Sequence, residues 1–142
     1  MLENLEYIEN DLSYEIYYKL RDSVGWRNFS EQQARNALQH SYYSIVVLHQ
    51  NEAIGMARII GDGIYFIIAD VIVVPEYQGK GIGITMMKRL LAYIDENVPV
   101  GGRASVQLIA EKGKEVFYEQ QGFKRMPHEL CGSGIRKVIY KE

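Results

Sequence analysis

Apolar residues recur at two different spacings along this 142-residue chain, and each change of spacing marks an element. The stretch LEYIE, reaching Ile8, predicts a short first strand. Leu12, Ile16, Leu20 and Val24 then recur at helical spacing, which predicts a helix over 13–24 stopped by Gly25. Ser30 with Gln33 fits a capping box and opens a second helix, SEQQARNALQHS, with Ala34, Ala37 and Leu38 on its apolar face. From residue 43 the period shortens. YSIVVLH (43–49), AIGMARII (53–60) and IYFIIADVIVV (64–74) are strand-like runs separated by the turn signals QNE and GDG, an antiparallel meander. The third run is almost wholly apolar, which predicts a central strand buried on both faces. Helical spacing returns in ITMMKRLLAYIDENV (84–98), where Met87, Leu91, Ile94 and Val98 share a face and Pro99 closes the helix. ASVQLIA (104–110) reads as a fifth strand and KEVFYEQQ (114–121) as a short helix ended by Gly122. FKRM (123–126) and GIRKVIY (134–140) read as closing strands. The order β-α-α-β-β-β-α-β-α-β-β predicts a mixed α/β (α+β) fold of about six to seven strands and four helices. The helical crossover makes the fourth and fifth strands parallel.

Composition narrows the function classes. The chain is 47% hydrophobic and 24% charged, which suits one compact domain over residues 1–142. A net charge of −2 gives no overall electrostatic reason to expect nucleic acid. No apolar run approaches the ~20 residues of a membrane span, and MLENLEYIEND lacks the basic and apolar regions of a signal peptide. Neither a membrane nor a nucleic acid is therefore expected as partner. Cys131 is the single cysteine, so no intramolecular disulfide forms and a reducing cytoplasm is the simplest location. His40, His49 and His128 show no ligand spacing, so no metal is expected.

The densest chemical signal is VVPEYQGKGIG (73–83), between a strand and a helix. It is not a Walker A loop, because Lys80 lies between glycines and no Ser or Thr follows it. Gly79, Gly81 and Gly83 give G-x-G-x-G, with Ile84 where a dinucleotide fingerprint needs its last glycine. What remains is general. The first N–H groups of a helix lack intrahelical partners, converge on one place and sit at the positive end of the helix dipole. Glycines let a bulky anion approach the backbone, and Lys80 adds a positive charge. A phosphate or diphosphate is expected at residues 78–84, against the plainer reading of a turn that joins strand to helix.

Gln78-Gly79-Lys80-Gly81-Ile82-Gly83 resembles the Q/R-x-x-G-x-G/A signature of the GNAT superfamily of N-acetyltransferases. The lead-in Val73-Val74-Pro75-Glu76-Tyr77 is similar to the family's V-x-P-x-Y. Phe117-Tyr118-Glu119-Gln120-Gln121-Gly122-Phe123 resembles its F-Y-x-x-x-G-F. In detail the chain looks most like small bacterial and plant-type members, with Gly-Trp after the first helix and an I-x-D-V/L fourth strand. The resemblance implies a fold in which strands 4 and 5 splay apart after a bulge in strand 4. It implies acetyl-CoA as co-substrate, its pantetheine arm pairing with Val71, Ile72 and Val73. Its diphosphate would lie on Gln78, Gly79, Lys80, Gly81, Ile82, Gly83 and Ile84. Glu111-Lys112-Gly113-Lys114 stands where many members carry an asparagine that contacts the pantetheine.

Direct attack of an amine on a thioester needs a neutral amine, a donor to the oxyanion and a proton for the leaving thiolate. Tyr118 matches the family tyrosine placed near the sulfur, and a phenol is protonated at neutral pH. A strand-4 N–H such as that of Ile72 would polarise the carbonyl. Asp70 is the one charged residue in IYFIIADVIVV, where a carboxylate needs a reason. It is a candidate to accept the amine's proton or bind the ammonium, against the plainer reading of an ion pair with Arg58. A hairpin centred on Asp62 would instead set Arg58 opposite Phe66. Trp26 is expected to line the acceptor pocket, and Arg58 to meet an acidic group of the substrate. Glu76 and Glu111 are weaker bases, and Cys131 a bystander thiol.

These readings point to an N-acetyltransferase acting on a primary amine of a small molecule. A protein- or peptide-lysine or N-terminal acetyltransferase, and a non-catalytic acyl-CoA-binding sensor domain, stay open as alternatives. The apolar edge of GIRKVIY offers a surface for pairing across a homodimer.

Overall fold

The computed structural model describes residues 2–141. The chain resolves into two compact units, one up to Leu108 and one from Ile109 onward. The first holds β1 (Leu5–Glu9), α1 (Tyr14–Ser23), α2 (Glu31–Gln39), β2 (Tyr43–His49), β3 (Glu52–Gly61), β4 (Tyr65–Val73), α3 (Ile82–Asn97) and β5 (Ser105–Gln107). The five strands form one sheet in sequence order. All neighbours are antiparallel except β4 and β5, which run parallel as the crossover requires.

Local chemistry explains the boundaries. The Ser13 hydroxyl accepts from the Ile16 N–H at 3.2 Å, and the Ser30 hydroxyl from the Gln33 N–H at 3.2 Å. Each satisfies a donor that the first helical turn leaves unpaired. Gln50 and Asn51 both take positive φ (52° and 64°), the backbone a tight two-residue hairpin needs between β2 and β3. In the β3–β4 turn the Asp62 carboxylate accepts from the N–H groups of Ile64 and Tyr65, both at 2.9 Å, and these bonds hold its carboxyl below the usual range.

The sheet sorts its side chains onto two faces. Tyr43, Ile59 and Ile68 stand opposite one another in register, and Tyr43 stacks on Tyr93 of α3 with ring centroids 4.1 Å apart. Ser44, Arg58 and Ala69 occupy the other face, toward α1. Ile45, Met56, Ile59, Phe66, Met86, Met87 and Leu90 are fully buried. At the hairpin end, a methyl group on Gly61 would lie 2.5 Å from Phe66 Cδ1 and 2.7 Å from the Tyr65 carbonyl oxygen. Gly61→Ala is therefore expected to cost about 1–3 kcal/mol of stability, seen as a lower urea midpoint at constant slope.

The second unit contains α4 (Glu115–Glu119) and a β-bridge between His128 and Cys131. Gly122 takes φ +95°, and the Phe123 N–H turns back to the Tyr118 carbonyl at 3.3 Å.

Three expectations are corrected. The sheet has five strands rather than six or seven, because FKRM and GIRKVIY join no ladder among the described residues. An extended segment is a strand only when its N–H and C=O groups find a ladder. GIRKVIY also buries no face, with Ile135, Ile139 and Tyr140 exposed at 96, 77 and 76%. The strand edge offered for pairing across a possible homodimer is thus not formed among the described residues. Finally, β4 buries Phe66 and Ile68 but exposes Tyr65 and Ile67, so it is not covered on both faces. Among the described residues, no helix is long and apolar enough to cross a membrane.

Candidate active site

β4 carries a bulge. Arg58 pairs with Ala69 and Met56 with Ile72, so Asp70 and Val71 together stand opposite Ala57. Asp70 has φ +55°, and among the described non-glycine residues it is the one inside a strand with a left-handed backbone. The ladder with β5 is short, joining Tyr65–Ile67 to Ser105–Gln107. Among the described residues, β4 beyond Ile67 is paired on its β3 side alone, which is the splayed arrangement expected. The Val74 N–H donates to the Ile54 carbonyl at 2.9 Å. By alternation Ile72 also faces β3, whereas Val71 and Val73 turn their main-chain groups to the open side. The strand N–H expected from Ile72 is therefore better supplied by Val71 or Val73, and the Ile72 side chain is buried.

A charged cluster surrounds the bulge. Asp70 Oδ1 accepts from Arg21 Nη1 at 2.6 Å, and Oδ2 from Arg58 Nε at 2.9 Å and from the Tyr17 hydroxyl at 3.0 Å. The three charged side chains are only 8–12% exposed. Arg21 also donates to the Arg27 carbonyl at 2.7 Å, and its guanidinium lies 5.3 Å from the Trp26 ring and 4.9 Å from Phe29. Its Nε is buried without a hydrogen-bond partner. Burial, then the Asp70 charge, raises the Tyr17 hydroxyl above its ordinary range against the opposing pull of Arg58 and Arg21. Tyr17 thus remains a donor. Arg58 and Asp70 do meet, contrary to the Asp62-centred register. The hairpin is centred between Gly63 and Ile64, so Arg58 lies opposite Ala69, three residues beyond Phe66. An odd slip exchanges the faces of a strand.

Tyr17 and Arg21 were not singled out from the sequence. Their signal was an i, i+4 polar pair beside Leu20 on the buried face of α1. Trp26 donates its backbone N–H to the Arg21 carbonyl at 3.0 Å, so the Gly25-Trp26 segment and the cluster are one local assembly.

The glycine loop follows β4 through one 3-10 turn, Pro75–Tyr77. The Tyr77 hydroxyl bonds His49 Nδ1 at 2.7 Å, fixing the lead-in to the end of β2. Gln78 donates its side-chain amide to the Val73 carbonyl at 2.9 Å, which ties the loop to the strand end. Gly79 and Gly81 take φ +77° and +85°, and a Cβ at either would meet no protein atom within 4 Å. No side chain caps α3, its first turn holds no acidic residue, and the Thr85 N–H makes the first intrahelical bond, to Gly81. The N–H groups of Ile82, Gly83 and Ile84 are thus without intrahelical partners. The Ile82 side chain is buried, so this residue can offer a ligand its backbone alone, whereas Ile84 is exposed. An uncapped helix start reached through left-handed glycines, with Lys80 exposed between them, suits a phosphate group.

Within the second unit, Tyr118 sits on α4 with its ring edge-on to Phe117 (5.0 Å) and Phe123 (6.1 Å). Burial, then the Glu111 charge, pushes its hydroxyl above the ordinary tyrosine range. Cys131 Sγ is 3.1 Å from His128 Nε2. Among the described residues, no group of three or more His, Cys, Asp or Glu is gathered as a metal would need.

A mixed sheet splayed at a bulge, followed by a phosphate-type loop and helix, is the framework of an acyl-CoA-dependent acyltransferase. The comparisons agree. Residues 13–141 match the acetyltransferase (GNAT) domain. The chain is 29% identical over 133 residues to an uncharacterized N-acetyltransferase, ycf52, of Porphyra purpurea, covering 89% of this chain and 74% of that one. It is 32% identical over 116 residues to serotonin N-acetyltransferase 2, chloroplastic, of Oryza sativa subsp. japonica, covering 77% of this chain and 55% of that one. A Staphylococcus aureus crystal structure described as a probable acetyltransferase superposes with a TM-score of 0.81 at 26% identity, over 94% of this chain and all of that one. The chain belongs to the GNAT acetyltransferase family and is an acyltransferase of that type.

Proposed function

We propose that the chain transfers the acetyl group of acetyl-CoA to a primary amine of a small molecule, by direct attack within a ternary complex. One observation carries this reading. The open edge of β4 leads, through one 3-10 turn, into an uncapped helix start reached through two left-handed glycines. Acetyl-CoA, when bound, supplies the activated thioester. The main-chain N–H groups from Gly79 to Ile84, with Lys80, would hold its phosphates. The outward main-chain groups of Val71 and Val73 would take the pantetheine arm as an added strand, and one of their N–H groups would stabilise the oxyanion. Tyr118 would donate its proton to the departing sulfur. Trp26 and Arg58 would shape the acceptor side, with no metal required. The reducing cytoplasm proposed from the single cysteine does not extend to the rice relative, whose name places it in the chloroplast.

Titration calorimetry with acetyl-CoA, with ATP and NAD as controls, tests the co-substrate. Selective binding of acetyl-CoA is expected. A folded chain that does not bind it would remove the enzyme reading at its base. A screen of small amines against peptides, following free thiol release, then separates the small-molecule acceptor from a protein one.

A further inference from the structure

The alternation of β4 places Phe66 and Ile68 on the α3 face, and two residues further the same face should receive Asp70. A carboxylate there would enter the apolar core. The bulge prevents this by turning Asp70 at φ +55° to the opposite face, where Arg58 of β3 and Tyr17 and Arg21 of α1 take both its oxygens. A left-handed conformation inside a strand persists only where the surroundings fix it. Here three donors from two elements do so. The same bulge sets the phase of the residues after it, and so decides that Val71 and Val73, not Ile72, face the open edge.

We infer that Asp70 is a positioning residue rather than a base. Clamped by Arg21, Arg58 and Tyr17, it fixes the β4 bulge and thereby the strip Val71–Val73 against which the pantetheine arm binds. The inference rests on the acetyl-CoA reading. Both carboxylate oxygens already accept from guanidinium groups, an arrangement that suits holding a strand more than relaying a proton. Two of the other charged side chains of α1 are engaged elsewhere, Glu15 with Arg35 and Lys19 with Glu52. The clamp is thus two cations on one anion, and it joins α1, which leads into the Trp26 segment, to the strand that receives the co-substrate.

The test separates the strand from the loop. Acetyl-CoA engages both, whereas adenosine bisphosphate, the nucleotide half of coenzyme A, engages the loop alone. Calorimetry with each ligand is run on the wild type, Asp70→Asn and Arg21→Met. Arg21→Met leaves a one-to-one Arg58–Asp70 pair and keeps the test alive should Asp70→Asn fail to fold. The expected result is a loss of acetyl-CoA affinity of about tenfold or more in the variants, with adenosine bisphosphate affinity within about twofold of wild type. Unchanged affinity for both ligands overturns the clamp. A parallel fall in both overturns it too, since the substitutions would then act on the whole unit. Wild-type acetyl-CoA affinity in Asp70→Asn, combined with low turnover and a displaced rate–pH limb, would make Asp70 the base. A wild type that binds neither ligand instead refutes the acetyl-CoA reading itself.

Discussion

Gly81→Glu is expected to abolish detectable acetyl-CoA binding, a loss of at least about a hundredfold, while the chain stays folded. Gly81 is the residue from which α3 starts, at φ +85°. A side chain there meets no protein atom within 4 Å, so no core contact is broken. The left-handed backbone costs a non-glycine residue about 1–2 kcal/mol, partly offset because a carboxylate at a helix N-terminus is favourable. That favourable placement is what excludes the ligand. The new carboxylate would engage the N–H groups of the first turn and put a negative charge where the diphosphate is proposed to lie. Gly81→Ala carries the same backbone strain without the charge and is expected to lose far less affinity. Calorimetry with acetyl-CoA, checked by thermal melting of each variant, reads both terms. Wild-type affinity in Gly81→Glu would refute the phosphate-loop assignment.

Most of this framework was legible because it is local. The cap at Ser30, the turn signal over residues 50–52 and the glycines before α3 are statements about a few adjacent residues. β2 spans the residues its β-branched run predicts, and the bounds of β3 and α3 differ from the pattern by one or two residues. What was not legible depends on tertiary register. The β3–β4 hairpin was centred on Asp62, and its true centre beyond Gly63 shifts the pairing by an odd number and so exchanges faces. The bulge then adds a further residue, and no periodicity in IYFIIADVIVV announces it. Arg21 was missed because a cation on the buried side of a helix makes sense only once its carboxylate is known, and Asp70 lies 49 positions away. GIRKVIY has the alternation of a strand, but alternation supplies no partner.

Tyr118→Phe is expected to lower turnover by roughly a hundred- to ten-thousandfold with little change in acetyl-CoA affinity. The phenyl ring would keep its edge contacts with Phe117 and Phe123, so stability should change by less than about 1 kcal/mol. On the proposed role, only the proton for the departing sulfur is lost. The pH dependence gives an independent reading. Because burial and then Glu111 raise the hydroxyl above its ordinary range, the phenol stays protonated through neutral and mildly alkaline conditions. The wild-type rate should therefore rise with pH as the acceptor amine loses its proton, with any descending limb from Tyr118 displaced to more alkaline pH than an ordinary tyrosine would give. The phenylalanine variant should keep that rising limb at a lower rate, since the amine is unaffected. A thioester whose thiol is a better leaving group needs less proton transfer, so it should narrow the gap between variant and wild type. A constant gap across leaving groups would give Tyr118 a binding role instead, and equal turnover would remove it from the mechanism.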